Sequence, residues 1–179
     1  ISDDFKLLYT DVWMVVDNLK DYQNAECKID VKFKIVTDDI KDEFVNAVMN
    51  GFSGNDPNDP YEELSDGYKL ALLNSFQKSN IKNEFKIIHY AGLYKDIIVS
   101  TATVVYKGEN AIIYNVTTKK EYQKMGICKE MMSYIISNLR KKGVKTVCVQ
   151  TEQGYYTEKA YANMGFKEIM LGRAFTKKD

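Results

Sequence analysis

The chain of 179 residues has one histidine, His89, two prolines and three cysteines, Cys27, Cys128 and Cys148. A lone histidine and cysteines without metal-ligand spacing give no basis for a zinc site, and no metal is expected. An odd number of thiols makes no disulfide framework, and reduced cysteines point to a cytoplasmic protein. Formal charge is zero, so the basic excess common to nucleic-acid-binding domains is missing. No apolar run approaches the roughly 18 residues of a membrane-spanning helix. No basic-then-apolar leader is present, and no repeat or low-complexity segment appears. What is left is 45% hydrophobic and 28% charged, the balance of a soluble domain large enough to bury a core.

Periodicity sets the elements. The opening "DFKLLYTDVWMVV" is aromatic and β-branched and reads as extended, with a hairpin about Thr10–Asp11 as one option. Residues 1–28 are expected to be an N-terminal extension, either a remnant of a preceding domain or a strand added to the sheet edge. In "CKIDVKFKIVT", Ile29, Val31, Phe33 and Ile35 alternate onto one face of a strand. Thr37 and Asp38 offer caps for a helix with Ile40, Phe44, Val48 and Phe52 on one stripe. After the loop "SGNDPNDP", Leu64, Tyr68, Leu72 and Phe76 mark a second helix.

Strands are then expected near 84–91, 96–106 and 110–118, the last two joined by a Lys107–Gly108 turn. Ile127, Met131, Ile135 and Leu139 form the buried stripe of a third helix closed by Gly143. A short strand "VKTVCVQT", a short helix "YTEKAYANMGF" and a last strand "KEIMLGRAF" complete the order β-α-α-β-β-β-α-β-α-β. The fold class is mixed α/β: a mostly antiparallel twisted sheet flanked by helices, with an extended N-terminal segment.

The stretch "EYQKMGICKE" carries the chemistry. A strand passing into a helix leaves the first helical N–H groups without partners, and these favour a phosphate or diphosphate. Gly126 lets the backbone approach an anion where a Cβ would collide. Lys119, Lys120, Lys124 and Lys129 crowd the same turn against Glu121 and Glu130. Neither the P-loop pattern nor the G-x-G-x-x-G fingerprint occurs.

The stretch from "IIYNVTT" through "EYQKMGICKEMM" to "AYANMGF" resembles the GCN5-related N-acetyltransferases. These share a strand followed by Q/R-x-x-G-x-G/A and a helix, met here by Gln123, Lys124, Met125, Gly126, Ile127 and Cys128. They also share L-Y-x-x-x-G-F, met by Tyr161, Gly165 and Phe166 with Ala160 in place of leucine. The resemblance runs from about residue 29 to the end and implies an acetyltransferase domain over 29–179. It implies acetyl-CoA as co-substrate, with the diphosphate on the amides of residues 124–129. The main chain of Val116, Thr117 and Thr118 would pair with the pantetheine arm, where two strands splay apart. It implies that Tyr161 protonates the departing thiolate, and that the acceptor is an amine of a small molecule or peptide. Cys128 departs from the family's small residue. A reactive thiol at a helix start is one reading of it, an inert helix residue the other.

Acetyl transfer needs a neutral amine. From a reference pKa of about 10.4, deprotonation at neutral pH takes roughly 4.6 kcal/mol. Relatives with a glutamate on the strand before the turn have a base there, whereas this strand offers Tyr114 and Asn115. Ordered water is therefore the expected route, with Glu109 and Glu152 as weaker candidates. Tyr155 and Tyr156 could line the acceptor pocket, and the acidic group Asp56, Asp59, Glu62, Glu63 and Asp66 could attract a cation. His89 reads as a structural histidine, and Trp13 as a packing residue. A silent CoA- or acyl-CoA-binding module and an interaction domain are the alternatives. A homodimer through a swapped N-terminal arm stays open.

Overall fold

The computed structural model describes residues 4–19, 22, 27–52, 64–77 and 85–178. Seven strands make one sheet: β1 (Phe5–Val16), β2 (Lys32–Ile35), β3 (Lys86–Tyr94), β4 (Ile97–Lys107), β5 (Asn110–Thr118), β6 (Thr146–Glu152) and β7 (Lys167–Lys177). Helices α1 (Lys41–Gly51), α2 (Asp66–Gln77), α3 (Ile127–Lys141) and α4 (Tyr156–Asn163) connect them. From β2 onward the elements follow the order expected from periodicity. The strands lie as β2-β3-β4-β5-β6-β1-β7. Every neighbouring pair is antiparallel except β5 with β6. That parallel pair needs a crossover, and α3 supplies it.

Two layers of side chains cover the sheet. On one face, Met131, Ile135, Ile136 and Leu139 of α3 pack with Tyr90, Val104, Ile113 and Val149 of the strands, and Tyr161 of α4 joins them. On the other, Phe44, Val45 and Val48 of α1 and Leu72 of α2 pack on Ala91 and Ile98. The stripe expected for α3 is buried throughout: Ile127, Met131, Ile135 and Leu139 are each at most 1% exposed.

Three sequence expectations change. The N-terminal segment is one continuous strand, without a hairpin at Thr10–Asp11. Its alternating Val12, Met14 and Val16 face the core, so an unbroken strand buries more than a hairpin would. Nor does it extend the sheet edge. β1 sits inside the sheet, hydrogen-bonded to β6 on one side and β7 on the other. Finally, β2 is only four residues long and Ile35 is 46% exposed. Val36 is buried instead, its N–H reaching the carbonyl of His89 at 2.8 Å. The loop "SGNDPNDP" and Asp56, Asp59, Glu62 and Glu63 lie outside the described residues.

Candidate functional site

The site forms where β5 parts from β6 and bulges against β4. Its parallel pairing with β6 runs only from Asn110↔Thr146 to Ile113↔Val149. Its pairing with β4 shifts register between Thr101 and Thr103, so that Ala102 alone stands opposite Asn115 and Val116. This is a β-bulge, and Asn115 takes a left-handed φ of 53° within it. At Val116–Thr118 the strand has no pairing with β6, while its pairing with β4 resumes at Thr101↔Thr117 and Ser100↔Thr118.

Hydroxyls of β4 hold the bulge in shape. Thr101 Oγ1 donates to the Asn115 carbonyl at 2.9 Å and lies 2.6 Å from Thr117 Oγ1. Ser100 Oγ donates to the Thr117 carbonyl at 2.9 Å. The Thr117 side chain is buried, and α1 closes on it: a Cβ added at Gly51 would fall 2.5 Å from Thr117 Cβ. Only the main chain of Thr117 is left to serve a ligand. Thr118 Oγ1 is buried without a hydrogen-bond partner.

Beyond β5, Gln123 Nε2 donates to the Thr118 carbonyl at 3.2 Å and ties the turn back to the strand. Lys124 and Gly126 have φ of 60° and 90°, and Gly126 is the N-cap of α3. No side chain caps the helix start, so its first-turn amides are not satisfied by a cap. Gly126, Lys124 and Lys129 are exposed, while the Ile127 side chain is buried in the core. Met125 faces inward beside Val31 and Val99, and its carbonyl accepts from the Lys28 N–H at 2.9 Å. Burial pushes the Cys128 thiol up to about 11, which opposes the reading of a reactive thiolate.

Tyr161 sits on α4, and its surroundings explain the spacing to Gly165–Phe166. Gly165 has φ 92° and ends the helix. The Phe166 N–H then bonds the Tyr161 carbonyl at 3.1 Å, and the Gly165 N–H bonds that of Ala162 at 3.0 Å. This is the Schellman closure, and it folds Phe166 edge-on against Tyr161 with ring centroids 5.7 Å apart. Burial first, then the neighbouring Cys128, Tyr156 and Tyr22, raise the Tyr161 phenol well above its ordinary value. It stays protonated at any ordinary pH. Glu109 is far from all this: at the opposite end of β5, it pairs with Lys145 Nζ at 2.5 Å.

His89 is structural, as its setting on a strand implied. Its ring stacks on Phe76 at 4.1 Å and leans on Phe44 at 5.2 Å. Its Nε2 lies 2.9 Å from Ser75 Oγ and its Nδ1 2.9 Å from Thr103 Oγ1. Sequence reasoning missed its partners Ser75 and Thr103, and the Tyr68–Asn115 bond beyond them. The available signal was the hydroxyl run Ser100, Thr101 and Thr103 inside an otherwise apolar strand.

The chain belongs to the acetyltransferase (GNAT) domain family, whose model matches residues 63–178, well over half its length. A GCN5-related N-acetyltransferase from Sphaerobacter thermophilus is similar in fold, with a TM-score of 0.69, 12% identity, and 97% of this chain aligned to 52% of that one. A conserved protein of unknown function from Staphylococcus epidermidis also reaches 0.69, at 15% identity over 97% of this chain and 62% of that one. A predicted acetyltransferase from Clostridium acetobutylicum with acetyl-CoA scores 0.60, at 13% identity over 78% and 92% of the two chains. This chain thus spans only about half to two thirds of the length of the first two. No curated protein matches by sequence. Among the described residues no helix is long and apolar enough to cross a membrane.

Proposed function

We propose that this chain transfers the acetyl group of acetyl-CoA to a primary amine of a small molecule or peptide. The observation that carries the reading is the course of β5: it bulges off β4, parts from β6 after Ile113, and leads into an uncapped helix start at Gly126. A peptide-like arm can pair with main chain that has no strand beside it, and a diphosphate can take donors that no side chain has claimed. Thr118 Oγ1, on the last residue of β5, is a buried polar atom without a partner that a ligand reaching this edge would satisfy. Residues 124–129 would hold the diphosphate, with Gln123 bracing the turn, and the main chain of Val116, Thr117 and Thr118 would hold the pantetheine arm.

In the reaction the amine nitrogen attacks the thioester carbon, the C–S bond breaks and its electron pair leaves on sulfur. An N–H in the bulge would stabilise the oxyanion formed on the way. Tyr161 is the proton donor to the thiolate. Its raised pKa keeps the phenol charged with its proton. Because such a phenol is a weaker acid than a thiol, its hydrogen bond to the departing sulfur does most of the work, and a proton passed to the sulfur is replaced on the phenol from water, which takes up the proton lost by the amine. β5 carries no carboxylate, so the amine loses its proton to water.

Calorimetry with coenzyme A tests the first half. Wild type is expected to bind, and Gly126→Val to bind about tenfold more weakly, since a β-branched residue resists a positive φ by roughly 1–2 kcal/mol. No heat from wild type would refute the reading. Binding without thiol release across an amine panel would instead favour the silent acyl-CoA module.

A further inference from the structure

A single line of hydrogen bonds runs from α2 through the bulge and back to α2, and its proton order can be worked out. Ser75 Oγ donates its only hydrogen to the Leu72 carbonyl at 2.5 Å. Toward His89 it can therefore only accept, so His89 carries its proton on Nε2. Burial holds the ring at about 4, so the imidazole is neutral and Nδ1 is bare. Nδ1 then accepts from Thr103 Oγ1. With its hydrogen spent, Thr103 accepts from Asn115 Nδ2 at 3.1 Å. That orientation of the Asn115 amide turns Oδ1 toward Tyr68, whose hydroxyl donates to it. Every proton points the same way, and Tyr68 has none left.

Tyr68 is 37% exposed and lies at the outer end of this line. It is one hydrogen bond from Asn115, the bulge residue beside the opened strand edge. Tyr68 and Ser75 stand seven residues apart, two turns along one face of α2, so both ends of the line anchor the same helix.

We propose that Tyr68 receives the acceptor amine: its oxygen, with its own hydrogen committed to Asn115, accepts an N–H of the substrate and holds the nitrogen at the bulge. His89, Thr103 and Asn115 are positioning residues that fix Tyr68 in this state. The inference rests on the acetyl-transfer reading above and adds where the amine docks. Burial raises the Tyr68 phenol above its ordinary value, so it serves as a neutral acceptor and not as a base.

His89 is the only histidine, so its ring nitrogens can be read by 15N–1H correlation spectroscopy without assignment. This readout needs no activity. An Nε2–H tautomer is expected; Nδ1–H would reverse the line and overturn the proposal. Steady-state kinetics provide the second arm. Tyr68→Phe is expected to raise the amine KM about 3- to 12-fold, the loss of one hydrogen bond, leaving the acetyl-CoA KM unchanged. Thr103→Val should shift the amine KM in the same direction by less, and Thr103→Ser should restore it. An unchanged amine KM in Tyr68→Phe overturns the docking role while transfer itself stands. Absence of transfer in wild type with the Nε2–H tautomer present would refute the acetyl-transfer reading and the docking role with it.

Discussion

The two halves of the sheet, meeting where β5 parts from β6, are held together by different means. On the β2–β5 side, buried polar groups concentrate: His89, Ser100, Thr101, Thr103 and Thr117 are all at most 8% exposed. Each has a named partner, and these bonds gather around the bulge. On the β6–β1–β7 side, main-chain ladders and apolar contacts dominate. Val12, Met14, Val147 and Val149 fill the core, whereas Ile169, Met170 and Phe175 of β7 are exposed. Tyr68 and Tyr161 flank the division from opposite faces and are both phenols raised by burial. One donates its proton to Asn115; the other lies in the apolar core against Phe166. The proposed duties of the two are opposite, because a hydroxyl has one hydrogen and whatever takes it decides what the oxygen can still do.

The sharpest way to break the contrast is acid. The folded chain holds His89 at about 4 against 6.5 for an exposed histidine. Between these values the unfolded chain binds a proton that the folded chain refuses. Stability is full above pH 6.5 and falls as pH drops toward 4. The lowering corresponds to a loss of up to about 3 kcal/mol. Melts of wild type and His89→Gln at pH 7 and 4.5 should show the variant losing less; equal losses would mean that the polar half does not depend on this ring.

On the other side of the division, Tyr161→Phe should lower kcat by about 100-fold, within the range for a lost general acid, with coenzyme A affinity unchanged by calorimetry. An undiminished kcat would leave Tyr161 as packing alone. Next in size is the seam between α1 and the bulge. Gly51→Ala should destabilise by about 2 kcal/mol in denaturant unfolding, since the new methyl meets Thr117 with no room to spare. The smallest effect is expected on the outer strand. Ile169, 61% exposed, should tolerate threonine within about 0.5 kcal/mol by the same measurement; a larger loss would show β7 contributing more than its exposure indicates.

Some of this was legible early because it is local. The 3.6-residue stripe of α3, the glycine that reverses the chain after Tyr161 and the glycine at the start of α3 each depend on neighbours a few residues away. The turn between β3 and β4 was harder. Lys95 and Asp96 both take left-handed φ, 50° and 63°, in a two-residue connection that asparagine and glycine usually announce. The line through His89 was out of reach, since Tyr68, Ser75, His89, Thr103 and Asn115 come from four elements and no spacing links them.

By itself the sequence determined the kind and order of elements from β2 to β7, and the strand-turn-helix passage at Gly126, because periodicity and backbone sterics act within a few residues. Only the tertiary structure decided that β1 lies between β6 and β7 and that β5 bulges at Asn115. It also decided that Tyr68 bonds to Asn115 and that Tyr161 is buried. Those outcomes depend on which strand edges find partners and where each hydroxyl's one proton goes, and such pairings are made across the sheet, between residues far apart in the chain.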